Sequence, residues 1–256
     1  MRARNVHATL AVLLAVLAAT RGLARAGDFQ VEPTRLDLVR QGVATELTIT
    51  NRGHRAARFE VTVSAWAEDE QGGMRLAPAA DLVVYPTLFA VEPGAKRSIR
   101  IATTAAPSAL ERPYRIFIEE LPPRRGAGED GAPASVTVRT RVAVPIFLAS
   151  TRAVVRGAIT GTVDRGAARL TIENRGTVHV KIATVRAIGR DRAGTPLFDR
   201  SLPSWYVLAS SSRTYPLALA AGECAALDQL SIEAMTDRGI WRATIAKPRD
   251  GCQDAP

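Results

Sequence analysis

Lysine is nearly missing from this 256-residue chain, with Lys96, Lys181 and Lys247 its only three, and aromatic residues make up 5%. The formal charge of +9 is therefore carried by arginines, and these are scattered along the chain rather than gathered in stripes. Nucleic-acid binding by basic stripes with interleaved aromatics is excluded on that pattern. Histidine is as scarce: beyond His7 there are only His54 and His179, each just after an Asn-Arg-Gly turn, where surface turn residues are expected. No H-E-x-x-H, C-x-x-C or G-x-S-x-G occurs, so the sequence predicts no enzyme, metal site or cofactor. There are two cysteines, Cys224 and Cys252.

Long apolar runs are also lacking, with one exception at the start. Met1, Arg2 and Arg4 precede Ala8 to Ala19, apolar except for Thr9, and Ala24-Arg25-Ala26 follows. A basic start, an apolar core of about a dozen residues and an A-x-A site read as a secretory signal peptide over residues 1–26. The core is too short for a bilayer, which needs about 20 residues, so no stable membrane insertion is expected after cleavage. Cleavage would remove four of the positive charges, Arg2, Arg4, Arg21 and Arg25. An exported chain meets an oxidising compartment, where Cys224 and Cys252 are expected to form one disulfide, contributing about 3 kcal/mol.

The remaining pattern has period two. Val43 to Thr50 alternates; Phe59, Val61, Val63 and Ala65 share one face, as do Tyr114, Ile116 and Ile118. Turn signals at Asn51-Arg52-Gly53, Gln71-Gly72-Gly73, Glu92-Pro93-Gly94 and Leu121-Pro122-Pro123 separate strands at sandwich spacing. Gly222 to Met235 fits neither period cleanly, and no long helical pattern appears. Leu47-Thr48-Ile49-Thr50-Asn51-Arg52-Gly53 recurs as Leu170-Thr171-Ile172-Glu173-Asn174-Arg175-Gly176. That offset is about one immunoglobulin-like domain. The prediction is an all-β chain of two such sandwiches in tandem, over residues 27–148 and 149–256. In each, the repeated strand is expected to form a hairpin with the next one. Trp66, Trp205 and Trp241 are expected in the sandwich cores.

Val31-Glu32-Pro33-Thr34-Arg35-Leu36, Asn51-Arg52-Gly53, Trp66, Tyr85-Pro86, Val91-Glu92-Pro93-Gly94, Tyr114-Arg115-Ile116-Phe117 and Glu119-Glu120-Leu121-Pro122-Pro123 follow one another in a set order. In that order and spacing the first half resembles the PapD-like periplasmic pilus chaperones of the chaperone-usher pathway, in a divergent branch. The second half resembles them in strand pattern alone. The resemblance implies a periplasmic boomerang of two domains that binds pilus or fimbrial subunits by donor-strand complementation and delivers them to an outer-membrane usher. On it, Ser135 to Phe147 is the donated strand, with Ala134, Val136, Val138 and Thr140 as the inserted row. Two readings of that row stand: it fills a partner's groove, or it faces this domain's own core.

The resemblance also implies a clamp on the subunit's terminal carboxylate. Arg35 takes the family's arginine position. The lysine position holds Ala143, which leaves Arg141, one pleat away on the same face, and then Arg139 as substitutes. Glu111 takes the acidic position of the family's interdomain ion pair, while Phe147 stands at the basic one. Gly126 to Gly131 matches G-x-G-x-x-G, but Glu129 and Asp130 would repel phosphate and no helix pattern follows, so it reads as a loop. The competing class is an exported two-domain adhesin.

Overall fold

The computed structural model describes residues 28–39, 42–69, 71–122, 139–164 and 166–246. The signal segment 1–26, the loop Gly126 to Gly131, three members of the donor row (Ala134, Val136, Val138) and Cys252 lie outside them.

Ten strands come first: β1 (Phe29–Glu32), β2 (Leu36–Leu38), β3 (Thr45–Asn51), β4 (Ala57–Glu68), β5 (Met74–Pro78), β6 (Leu82–Tyr85), β7 (Leu88–Val91), β8 (Lys96–Thr103), β9 (Arg112–Leu121) and β10 (Arg141–Leu148). They form two facing sheets, one in the order β1-β3-β8-β6 and the other β2-β10-β9-β4-β5, with β7 also on β4. The alternating apolar residues explain the pairing of layers. Leu47 and Ile49 from β3, Ile99 and Ile101 from β8, Phe59 and Val61 from β4, and Ile116 and Ile118 from β9 are nearly solvent-free in one core. Each such side chain stabilises by about 1.5–3 kcal/mol.

The rest of the chain repeats the plan: β11 (Gly157–Asp164), β12 (Ala167–Asn174), β13 (Val180–Arg190), β14 (Pro196–Leu202), β15 (Tyr206–Val207), β16 (Ser212–Ala218), the short helix α1 (Ala221–Ala226), β17 (Gln229–Thr236) and β18 (Gly239–Ala246). The sheets run β11-β12-β16 and β14-β13-β17-β18, around a second core that includes Leu170, Ile172, Val185 and Leu230. The ambiguous stretch from Gly222 thus divides between α1, which buries Cys224, and the buried alternation of β17.

The repeated heptapeptide does mark equivalent places, but not a hairpin. Asn51 and Asn174 are both buried, and each Nδ2 donates to backbone carbonyls, of Arg55 and Val91 in one case and of Val178, Val207 and Leu208 in the other. Each Oδ1 accepts the amide of the turn glycine, Gly53 or Gly176. The asparagine thus stitches a turn to the facing layer, and the chain crosses to the opposite sheet: β3 and β4 lie in different sheets, as do β12 and β13.

A small third cluster joins the two sandwiches. Trp66 and Phe147 of the first pack on Tyr206 and Leu208 of the second. Two of the expectations above are corrected here. Trp66 is buried in this junction rather than in a sandwich core, and His179 is 2% exposed rather than a surface turn residue. Glu111 accepts the His179 backbone N–H at 2.7 Å and faces its Nδ1 at 2.6 Å, while the Phe147 ring stacks on the imidazole with centroids 3.5 Å apart. Glu111 therefore does bridge the sandwiches, with histidine as partner and Phe147 as the stacking plate.

Candidate functional site

β10 lies between β9 and the short end strand β2, and its two sides differ. One side pairs along its whole length with β9, from Arg141 opposite Glu119 to Leu148 opposite Arg112. Antiparallel ladders alternate bonded and non-bonded pairs, and the Glu120 N–H donates to the Thr140 carbonyl at 2.9 Å. The bonded members on β10 are therefore Thr140, Val142, Val144 and Ile146, and the backbone groups of Arg141, Ala143 and Pro145 point away from β9. On that other side β2 covers only Ile146 to Leu148, in parallel register with Leu36 to Leu38. Among the described residues, the stretch from Arg141 to Ala143 is a free sheet edge offering two N–H and two C=O groups, and the Pro145 C=O already belongs to the β2 ladder. Pro145 has no N–H to offer, which suits an edge and ends the row of donors there.

The side chains of β10 sort by the same alternation. Ile146 and Val144 are 0% and 2% exposed in the core, Val142 is half-buried, and Thr140 is half-buried. Cover on the even-numbered face thus runs out toward the strand's start. The odd-numbered residues lie on the outer face: Arg141 and Ala143 are exposed, while Phe147 enters the junction.

Arg35 stands one residue before β2, so the parallel register sets it across the edge from Pro145. Its Nε contacts Asp37 Oδ2 at 3.1 Å, and its side chain remains 41% exposed. Arg141 and Arg139 are held elsewhere. Arg141 lies over the Phe117 ring at 4.1 Å and 3.9 Å from Glu119, and Arg139 donates to the same Glu119 carboxylate. The structure therefore brings Arg141 and Arg139 together on Glu119 and leaves Arg35 at the far end of the free edge.

A different arginine lies in the same cross-strand row as Arg35, with Pro145 between them. Arg115 of β9 is opposite Pro145 and 3% exposed, with its guanidinium 4.0 Å over the Trp66 ring and 5.3 Å from that of Trp205. Its Nε and Nη2 are buried and have no hydrogen-bond partner among the described residues. Burial pushes this guanidinium down from its usual range, opposed by Tyr206 and Glu68. Tyr206 in turn is pushed up by burial and drawn down by the charges of Arg35 and Arg115. A buried cation with two unused donors is costly unless an anion completes it.

The sequence reading missed Arg115 because a strand arginine between apolar neighbours looks solvated. The available signal was that β9 is apolar on both sides of it, at Tyr114, Ile116, Phe117 and Ile118, as in a strand covered on both faces. Trp205 is the other correction: it is 47% exposed at the junction, not in a core. No cluster of metal ligands and no helix long and apolar enough to cross a membrane occurs among the described residues.

With this geometry in hand, comparison with family models matches residues 28–150 to the pili and flagellar-assembly chaperone, PapD N-terminal domain. Comparison with curated proteins gives no match. Among solved structures, the fold is similar to a chain of the CsuC-CsuE chaperone-tip adhesion subunit pre-assembly complex from archaic chaperone-usher Csu pili of Acinetobacter baumannii. The TM-score is 0.58 at 15% identity, covering 86% of this chain and 97% of that one. It is also similar to a chain of the Salmonella enterica SafA pilin–SafB chaperone complex (0.56, 17%, 87% and 98%) and to the E. coli chaperone DraB (0.55, 18%, 88% and 98%). At these identities the likeness is one of fold.

Proposed function

Because residues 28–150 of this chain belong to the non-enzymatic pili and flagellar-assembly chaperones through their PapD N-terminal domain, we propose that the protein binds pilus subunits in the periplasm by donor-strand complementation and hands them to an outer-membrane usher. The observation that carries the proposal is the edge of β10 from Arg141 to Ala143, free among the described residues. A strand added there gains backbone hydrogen bonds, and alternate side chains supply selectivity.

The inserted row is placed at Ala134, Val136, Val138 and Thr140. It shares its parity with Val142, Val144 and Ile146, whose cover fades toward the strand's start, so its valines have apolar surface to give to a partner. The terminal carboxylate of the subunit is placed at Arg35 and Arg115, at the Pro145 end of the edge. Arg141 and Arg139, already engaged by Glu119, are secondary to them. A chain whose C-terminus sits at that end and which pairs along the edge runs parallel to β10, as β2 does. Burial of apolar valines supplies affinity, and guanidinium–carboxylate bonds fix the register.

Cys224 and Cys252 are proposed to be joined once the chain is exported. Cys224 is buried against the second core, and among the described residues no cysteine is free. A non-reducing mass of the exported protein should lack two hydrogens; two titratable thiols would contradict the bridge.

The functional reading is tested by recovering subunits from the periplasm with tagged wild-type, Val138→Asp and Arg35→Ala chains. Both variants are expected to fold and to lose most of the subunit, since the Val138→Asp change would place a charge in an apolar groove at a cost of several kcal/mol. Unfolding of the Val138→Asp chain would assign that residue to this domain's own core. Wild-type recovery with both variants would remove donor-strand binding.

A further inference from the structure

The second sandwich reaches the site through Tyr206, and it places a further large aromatic side chain beside it. Trp205 immediately precedes β15 and is 47% exposed, next to a junction whose other aromatic rings are buried. Its exposure does not come from a loose segment. The Trp205 carbonyl accepts the Ile182 N–H at 3.0 Å, Ser204 Oγ donates to the Ile182 carbonyl at 2.7 Å, and Tyr206 pairs with Lys181 of β13. The indole itself meets the Tyr206 ring edge-on, with centroids 5.9 Å apart and planes at 88°, and Tyr206 meets Trp66 in the same way at 5.8 Å and 87°. A fixed indole that remains half in water retains apolar surface for a partner to bury.

What reaches that indole is decided by Arg115. Its guanidinium is packed at 4.0 Å on Trp66 but only at 5.3 Å from Trp205, and its free Nε and Nη2 call for an anion at the same place. If a chain terminus lies on Arg115, its carboxyl carbon is bonded directly to the last Cα. The side chain within reach of Trp205 is then that of the terminal residue itself. Resting on the carboxylate site proposed above, we propose that Trp205 is a specificity-determining residue: the second sandwich selects partners whose last residue is aromatic, stacking that ring on the indole while the carboxylate sits on Arg115. Offset and edge-to-face ring pairs are favoured over aliphatic contact at centroid separations of about 4.5–7 Å.

The test uses the full chain and two acetylated heptapeptides of one threonine-rich sequence, ending in phenylalanine or alanine, each as free acid and as amide. Affinities are measured by isothermal titration calorimetry. The wild-type chain should bind the phenylalanine acid about three- to tenfold more tightly than the alanine acid. Trp205→Ala should bind the two acids equally while still preferring acids to amides, and Trp205→Phe should keep the ring preference. Equal binding of the two acids by the wild type, or a ring preference that survives in Trp205→Ala, overturns the role of Trp205 and leaves the carboxylate site standing. Acids and amides bound alike, or no binding of any peptide, overturns the carboxylate site and this inference with it.

Discussion

Replacing Arg115 with methionine should abolish recovery of subunits while leaving the chain as stable as before, or more so. Ordinarily the loss of a 3%-exposed side chain in a central strand lowers stability. Here the side chain is a cation with two buried nitrogens that have no partner, so the free protein bears a desolvation cost that the bound state alone relieves. Methionine keeps most of the volume against Trp66 and removes the charge. The cation–π contact with Trp66, about 0.5–2 kcal/mol, offsets part of the gain, and the net change in thermal unfolding should be small. Binding should suffer far more, because a buried charge pair that loses one member costs about 2–5 kcal/mol, or roughly 30-fold in affinity at the least. A collapse of stability in Arg115→Met would make Arg115 a structural residue, and undiminished subunit recovery would remove it from the site.

Proline scanning of β10 should separate adjacent residues sharply. At position 143 the backbone N–H points to the open edge, so Ala143→Pro removes nothing from the β9 ladder and should cost about 1 kcal/mol or less. At position 142 the N–H belongs to the bonded pair with Ile118, and Val142→Pro leaves that carbonyl unpaired at about 1–3 kcal/mol, besides losing the packing of a half-buried valine. Chemical denaturation of the two variants therefore should show one near-native chain and one clearly weakened chain. Subunit binding should be lost in both, and in Ala143→Pro without loss of fold. Equal destabilisation of the two would mean that the ladder alternates the other way and that the free edge is misassigned.

The layers and the strand identities were legible because they follow from local alternation: Phe59, Val61 and Val63 on one face, or Tyr114, Ile116 and Ile118, leave no choice of which side is covered. The place of Arg35 in an ordered set of motifs made it a candidate anchor, which the subunit-recovery experiment decides. What escaped were features created by contact between distant segments. His179 reads as a turn histidine until Glu111, 68 residues earlier, is brought to 2.6 Å from its ring. The Asn-Arg-Gly turns read as hairpins until Asn51 and Asn174 are seen to spend their side chains on the facing layer. Arg115 and Trp205 read as ordinary strand and core residues: the apolar neighbours of Arg115 signal cover on both faces of β9, but nothing local announces that the cover comes from a second sandwich or that Trp205 stays half in solvent. In each case the deciding partner lies on another strand or in the other sandwich.

The central claim, that the β10 edge is lent to a subunit, is tested most directly by amide hydrogen exchange at Arg141 and Ala143. In the free chain their N–H groups point away from β9, have no partner among the described residues and should exchange quickly, while Val142 and Val144, bonded to β9, exchange slowly. On binding a pilus subunit, Arg141 and Ala143 should become as protected as their neighbours. If a stable complex forms and these two amides still exchange at their free rates, the edge is not where the subunit binds.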